Sequence, residues 1–149
     1  MPKAYLSLGS NQEPEKHLAQ AVSILRDTFG GVVLSDWMRT KAVGFDGPDF
    51  INGAAIIETD WDVHTLDHWL HALENAHGRR RDVPRFSSRT LDIDIIFYDD
   101  LMLDGPGNLK IPRPELQHAF VLEPLVQIAP DFINPENGMT LAEMAAARR

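Results

Sequence analysis

The sequence predicts a single α+β domain in which helices pack on an antiparallel sheet. Its 149 residues are about the length of one domain and long enough to bury a core. Segments with the periodicity of strands and helices follow each other in the order β-α-β-β-α-β, with a short helical tail after them. No repeat, low-complexity stretch or linker divides the chain, so residues 1–149 are expected to form one domain.

The first half of the chain supplies a strand, a helix and a second strand. Ala4 to Leu8 is typical of a strand, and Gly9-Ser10-Asn11 follows it as a turn. From Glu13 to Phe29 apolar residues recur at spacings of three and four, which predicts a helix that Gly30-Gly31 ends. A second strand is expected from Val32 as far as Arg39 or Thr40.

The second half of the chain supplies two further strands with a helix between them. Phe50 to Thr59 predicts a third strand, and Leu91 to Tyr98 predicts a fourth. Between them lies a helix that begins after a cap at Asp60 or Asp62 and ends at Gly78. The remaining expected elements are a short strand at Leu109–Ile111 and helices at Phe120–Ile128 and Leu141–Ala147. This order is that of the ferredoxin-like fold, in which two helices cover one face of the sheet.

Composition excludes several classes of function. The chain has no cysteine, which excludes a disulfide scaffold, a cysteine-ligated metal site and a thiol nucleophile. A net charge of −8 disfavours binding to nucleic acid, and no aromatic RNA-binding motif supports the RNA-binding alternative that this fold allows. Apolar runs are too short for a membrane helix, and no signal peptide precedes the first strand. We therefore expect a cytoplasmic protein without nucleic-acid or membrane partners.

The clearest chemical pattern lies in the fourth strand. Asp92 and Asp94 are two residues apart, so their side chains point to one face of the strand with Cα atoms roughly 6–7 Å apart. Two carboxylates placed in this way repel each other unless a cation lies between them. Mg²⁺ is commonly bound by one or two carboxylates together with substrate phosphates. The alternative is that both acids face solvent on an exposed sheet.

An arginine-rich segment directly precedes this pair. Five of the 14 basic residues fall within eleven positions: Arg79, Arg80, Arg81, Arg85 and Arg89. Guanidinium groups bind phosphate oxygens through forked hydrogen bonds, so the segment and the acids together favour polyphosphate chemistry. A solvated charged loop is the alternative. The chain has neither a G-x-x-x-x-G-K-[ST] loop nor a kinase glycine loop, which places it outside the common phosphoryl-transfer families.

Two further pairs of residues are candidates for substrate contact. Phe50 and Asn52 share one face of the third strand, where a ring and an amide suit a flat heterocycle. The alternative is a core phenylalanine beside an asparagine at the end of a strand. His71 and Glu74 lie near the C-terminal end of the second helix, close in sequence to the arginines.

Taken in order, these segments resemble the 6-hydroxymethyl-7,8-dihydropterin pyrophosphokinase family of the folate pathway. The most specific match is Arg89-Thr90-Leu91-Asp92-Ile93-Asp94, which resembles the family signature R-T-L-D-[IL]-D. Four other segments match family motifs in the same order: Ala4–Asn11, Phe50–Ala54, Glu74–Arg81 and Ile111–Leu125. The resemblance spans roughly residues 4–135.

The resemblance implies a reaction and a nucleotide side of the site. Members of the family transfer the β,γ-pyrophosphoryl group of ATP, the co-substrate, to the hydroxymethyl group of the pterin and release AMP. Asp92 and Asp94 would hold two Mg²⁺ ions and act in catalysis. Phosphate binding would fall to Arg79, Arg81 and Arg89, of which Arg79 and Arg89 would assist transfer. The nucleotide side would also include His71, Glu74 and Arg113, with Glu74 at the adenosine end.

The resemblance also implies a pterin side. Asn52 would form hydrogen bonds with the pterin ring, and Phe50 and Phe120 would sandwich it. The other residues expected to line the pterin pocket are Thr40, Val43 and Phe86. The partners are therefore expected to be the pterin and ATP, bound by a monomer.

The chain departs from the family pattern mainly on the nucleotide side. His71 stands where glutamine is common, Phe86 where tryptophan is common, and Arg113 where histidine usually follows the proline. Gln117-His118 lacks the usual arginine, and Lys41 replaces a proline. An alternative to the active enzyme is therefore a weakened paralogue that binds pterin or nucleotide without turnover.

Overall fold

The main sheet of the computed structural model, which describes residues 1–41, 47–77 and 90–148, is antiparallel and has five strands. These strands are β1 (Lys3–Ser10), β2 (Val33–Leu34), β3 (Met38–Thr40), β4 (Phe50–Glu58) and β5 (Asp92–Tyr98). Their order is β2-β4-β1-β5, and β3 pairs with β4 on the edge that β2 also uses. The α+β class and the antiparallel sheet are confirmed.

Two helices cover one face of this sheet. They are α1 (Pro14–Phe29) and α2 (Val63–Ala76), and their apolar sides pack against β1, β4 and β5. Asp62, rather than Asp60, caps α2, because its side chain accepts hydrogen bonds from the backbone N–H groups of His64 and Thr65. Gly30 ends α1 with a φ of 86°, a conformation that glycine adopts without strain.

The C-terminal helices cover the opposite face, which the sequence had not revealed. They are α3 (Ala119–Ile128) and α4 (Leu141–Ala147), and a 3₁₀ turn at Pro114–Gln117 precedes α3. Tyr5, Phe97 and Leu125 belong to the apolar cluster beneath them. Two short strands between β5 and the turn, β6 (Leu103–Asp104) and β7 (Lys110–Ile111), pair as a separate antiparallel ribbon. The sheet therefore lies between two helical layers.

The second predicted strand is divided in two. Ser35 interrupts it, since its hydroxyl accepts a hydrogen bond from the backbone N–H of Ala54 at 2.8 Å. Trp37 then packs over Gly53, where an added Cβ would lie 2.5 Å from the indole ring. The Ser35 N–H still donates to the Ala54 carbonyl at 2.9 Å, so the side chain replaces only one bond of the backbone ladder. The prediction of a continuous strand from Val32 to Thr40 was therefore wrong. No helix within the described residues combines the length and apolarity needed to cross a bilayer.

Candidate functional site

The register of three strands brings Asn52, Gly9 and Asp92 into one row across the sheet. Gly9 of β1 lies opposite Asn52 of β4 and opposite Asp92 of β5. Alternation along each strand places all three on the face that α3 and α4 cover further along. Because neighbouring strands lie about 4.8 Å apart, Asn52 and Asp92 are separated by roughly 10 Å across β1.

Gly9 provides the space that the Asn52 amide occupies. A Cβ added to Gly9 would lie 2.8 Å from Asn52 Oδ1, so this oxygen sits above the backbone of β1. The other end of the amide is fixed, because Nδ2 donates to Thr40 Oγ1 at 2.8 Å. Asn52 is only 5% exposed. The structure therefore holds a polar group rigidly at this position, as a specific recognition site requires.

Two aromatic side chains named by the sequence lie on separate elements. Phe50 is two residues before Asn52 on β4 and is half-buried. Phe120 is also half-buried, and it lies in the first turn of α3. Its ring stacks on His118 with 4.9 Å between centroids and 10° between planes. This parallel stack shows that one aromatic face of Phe120 already accepts a flat ring.

Asp92 and Asp94 are half-buried on the same face of β5, as their spacing predicted. Burial raises the pKa of the Asp94 carboxyl to about 8, and repulsion from Asp92 acts in the same direction. Arg113 opposes this effect, because its Nη2 lies 3.1 Å from Asp94 Oδ1. Glu74 and Glu115 add to the negative potential around Asp94. The positive charge of Arg113 is therefore too small to offset burial and the neighbouring acids, so the ionised form of Asp94 is disfavoured.

Glu74 has a contact that sequence reasoning missed. Its side chain is 1% exposed, and Oε2 accepts a hydrogen bond from the backbone N–H of Ile93 at 2.7 Å. Since β5 lies at an edge of the main sheet, this bond ties the segment between Asp92 and Asp94 to α2. The assignment of Glu74 to the adenosine end of a nucleotide remains a prediction from the sequence. No sequence signal marks a carboxylate whose partner is a backbone amide.

His71 lies at the surface of α2. Its side chain is 42% exposed, and Nε2 is 3.7 Å from Asp67 Oδ1 one turn earlier. Asp67 also acts on Arg113 through its charge. Burial alone would lower the pKa of the Arg113 guanidinium, whereas the nearby acids Asp94, Glu115 and Asp67 raise it. The Arg113 side chain is therefore held in its charged form among acids of three elements.

Five residues that the sequence assigned to the site cannot be placed. Val43 belongs to 42–46, and the other four belong to 78–89, both outside the described residues. Those four are Arg79, Arg81, Phe86 and Arg89. Their roles remain predictions from the sequence.

The described carboxylates fit a magnesium site. Two hard oxygen ligands point from adjacent same-face positions of β5, and Asp94 is in a setting that disfavours its charge unless a cation is added. Within residues 1–41, 47–77 and 90–148 no cluster of three or more His, Cys, Asp or Glu side chains forms a metal cage. Mg²⁺ sites commonly use one or two carboxylates and complete the coordination with water and substrate phosphates.

The arrangement defines a class of protein before any relative is considered. A carboxylate pair with a neighbouring arginine is typical of metal-dependent transfer of phosphoryl groups. A fixed amide and aromatic rings across the same sheet suit recognition of a planar heterocycle.

Comparison with known proteins identifies the family. The model of the 7,8-dihydro-6-hydroxymethylpterin-pyrophosphokinase family matches residues 5–130. A protein of Synechocystis sp. is 37% identical over 145 residues, which cover 95% of this chain and 73% of that protein. Proteins of Pseudomonas aeruginosa and Haemophilus influenzae are 37% and 35% identical over 150 residues, covering 97% of this chain and 91% of each relative. All three are named 2-amino-4-hydroxy-6-hydroxymethyldihydropteridine pyrophosphokinase.

The chain belongs to the 7,8-dihydro-6-hydroxymethylpterin-pyrophosphokinase family. The resemblance seen in the sequence motifs is thereby confirmed over most of its length.

Proposed function

We propose that this chain transfers pyrophosphate from ATP to the hydroxymethyl group of 6-hydroxymethyl-7,8-dihydropterin, a step of folate biosynthesis, and releases AMP. The observation that carries the proposal is the row of Asn52, Gly9 and Asp92, which sets a rigid amide and a carboxylate on one face of the sheet. We place the pterin ring at the Asn52 end and the reacting hydroxyl at the Asp92 end. Family membership supports the same reaction.

Bond changes follow from the chemistry of the two substrates. The hydroxymethyl oxygen forms a bond to the β-phosphorus of ATP, and the bond from that phosphorus to the oxygen bridging to the α-phosphorus breaks. AMP leaves with the bridging oxygen, and the hydroxyl proton passes to water. Since no covalent intermediate with the protein is involved, the chain contributes positioning and charge.

The nucleotide side of the proposal rests on the acids of β5. Asp92 and Asp94 would hold two Mg²⁺ ions, which when bound would neutralise phosphate oxygens and favour ionisation of the attacking hydroxyl. Glu74 fixes the backbone between the two aspartates. Arg113 adds positive charge beside Asp94. Arg79, Arg81 and Arg89 would bind phosphates, and His71 would lie at the outer edge of this side.

The pterin side rests on β3, β4 and α3. Thr40 holds the Asn52 amide so that its oxygen is directed over β1, where it accepts a hydrogen bond from the pterin. Phe50 and Phe120 supply the faces between which the ring binds, an arrangement worth about 0.5–1.5 kcal/mol per aromatic contact beyond area burial. Val43 and Phe86 would complete this side. We expect the enzyme to act in the cytoplasm as a monomer.

The direct test is AMP formation by the purified chain with ATP, Mg²⁺ and 6-hydroxymethyl-7,8-dihydropterin. The expected result is AMP that requires the pterin, stops with EDTA and is lost in an Asp92→Ala/Asp94→Ala variant. Asp27→Ala/Asp131→Ala is a matched control, because it removes two exposed aspartates elsewhere and should keep full activity. Pterin binding without AMP in the unmodified chain would contradict the proposal and favour the weakened paralogue.

A further inference from the structure

Arg113 lies next to β5 and forms ion pairs with two acids, Asp94 of β5 and Glu115 of the 3₁₀ turn. Its backbone N–H donates to the carbonyl oxygen of Ile96 at 3.1 Å, which fixes the Cα next to this strand. Its Nη2 lies 3.1 Å from Asp94 Oδ1, and its Nε lies 3.1 Å from Glu115 Oε2. The contact with Glu115 is an ion pair only, because Nε makes no hydrogen bond within the described residues. The side chains of Arg113, Asp94 and Glu115 are 18%, 22% and 23% exposed, so water screens these contacts only in part.

The guanidinium of Arg113 lies against the Asp94 carboxylate, which the proposed function assigns to the metal. A divalent cation bound to Asp94 would meet a second positive charge on the same side chain. Like charges at this distance repel strongly in a half-buried setting. Metal binding and the contact between Arg113 and Asp94 are therefore in competition.

A second partner for the guanidinium arrives with the nucleotide. Mg²⁺ holds its oxygen ligands at about 2.0–2.1 Å, so a phosphate oxygen bound through the ion would come within roughly 4 Å of Asp94. Nη2 already lies at that distance range from the carboxylate. A turn of the guanidinium, with Nε kept beside Glu115, would direct the fork of Arg113 to the phosphates.

On the basis of the proposed function, we propose that Arg113 substitutes for the metal in the free protein and moves from Asp94 to the nucleotide phosphates when the metal binds. Glu115 is the positioning residue of this exchange, because it retains the guanidinium beside the site in both states. The exchange keeps a positive charge next to Asp94 at every stage. In this exchange Arg113 weakens binding of the metal alone and strengthens binding of the metal together with the nucleotide.

The test compares two affinities in one pair of proteins. Mn²⁺ alone, titrated by electron paramagnetic resonance, reports the metal site of the free protein. The α,β-methylene analogue of ATP with saturating Mg²⁺, titrated by calorimetry, reports the loaded site. In Arg113→Met, Mn²⁺ should bind roughly 5- to 10-fold more tightly, because a competing cation is lost, whereas the analogue should bind about 10- to 100-fold more weakly, because a charge-assisted bond is lost.

Glu115→Gln provides a second variant that disturbs the site less. It removes the charge that restrains Nε and keeps the shape of the side chain, so the analogue should bind roughly 3- to 10-fold more weakly, with a smaller change for Mn²⁺. Arg26→Met is the matched control, since it removes an exposed arginine of α1 and should change neither affinity by more than about twofold.

Opposite shifts in the two affinities of Arg113→Met support the exchange. A parallel loss of both affinities, or no change in either, would overturn it in favour of a purely structural arginine. If Arg113→Met does not fold, as judged by its thermal melt, Glu115→Gln decides: a weaker affinity for the analogue with a smaller change for Mn²⁺ supports the exchange, and equal changes in both affinities overturn it. The titrations need no turnover, so they can fail while pterin-dependent AMP formation succeeds, and the converse also holds.

Discussion

The two ends of one sheet face have opposite characters although the same three strands form both. At one end Tyr5, Ile56 and Phe97 of β1, β4 and β5 lie under α3 and α4 in an apolar cluster. At the other end Gly9 and its partners on β4 and β5 form the polar row of the site. Strand alternation sets which face a side chain points to. Position along the strand, relative to the covering helices, decides whether that face is core or site.

The boundary between the two ends runs through a single row. Ser7 of β1 pairs with Ala54 of β4 and with Asp94 of β5. Ala54 is fully buried in the apolar cluster, whereas Asp94 carries an ionisable carboxyl at the same level of the sheet. The raised pKa of Asp94 is a direct result of this position, because the row that carries it also belongs to the core.

The greatest loss of turnover is expected when the residue at the boundary can no longer ionise. Asp94→Asn keeps the shape of the side chain, yet turnover should fall by about a thousandfold, because a charged metal ligand and its electrostatic contribution to the transition state are lost. Steady-state AMP formation measures the change, and Asp131→Asn serves as an exposed control. Turnover within tenfold of the unmodified chain would mean that Asp94 is not a metal ligand.

Matched truncations at the two ends come next. Phe97→Ala should lower the free energy of unfolding by about 3–5 kcal/mol and leave turnover per folded molecule unchanged, because Phe97 is fully buried at the apolar end. Phe50→Ala should cost less stability and should raise the KM for the pterin. Urea unfolding and steady-state kinetics measure both variants. Equal stability losses with equal kinetic losses would remove the distinction between the two ends.

A smaller effect is expected from the centre of the polar row. Gly9→Ala places a methyl group against Asn52 Oδ1 and should weaken pterin binding by roughly tenfold, because the amide must shift from its bond to Thr40. Gly31→Ala is the matched control, since nothing lies within 4 Å of a Cβ added there. Fluorescence titration with the pterin gives both affinities. Unchanged binding in Gly9→Ala would show that the amide position does not matter.

The last prediction concerns pH and the free protein. Burial raises the pKa of Asp94 in the folded state to about 8 from its ordinary value of 3.8, so between these pH values the folded state binds one more proton than the unfolded state. Stability contributed by this group should therefore fall as pH rises from about 4 to 8. Thermal melts of the unmodified chain and of Asp94→Asn should diverge across this window, with the variant more stable at pH 8. Parallel melts at every pH would show that Asp94 is not destabilised by its surroundings.

The sequence predicted what depends on local spacing. Asp92 and Asp94 are two residues apart, which predicted that their side chains share one face of the strand. The sequence also predicted that either Asp60 or Asp62 caps α2, and Asp62 is the cap. The second helical layer could not be predicted, because periodicity shows that a helix has an apolar side but not which face of a sheet it covers. The contact of Arg113 with Asp94 joins distant parts of the chain, and local patterns carry no signal for such pairs.

Two substitutions separate the two tasks of the polar row. Asn52→Ala should weaken pterin binding by about 10- to 100-fold and leave binding of the Mg²⁺-bound methylene analogue of ATP within about twofold. Asp92→Asn should weaken binding of the Mg²⁺-bound analogue by about 10- to 100-fold and leave pterin binding within about twofold. Fluorescence titration and calorimetry on the same preparations measure both. If each substitution weakened binding of both ligands equally, Asn52 and Asp92 would not divide recognition of the pterin from binding of the metal and nucleotide, and the polar row would not have two separate tasks.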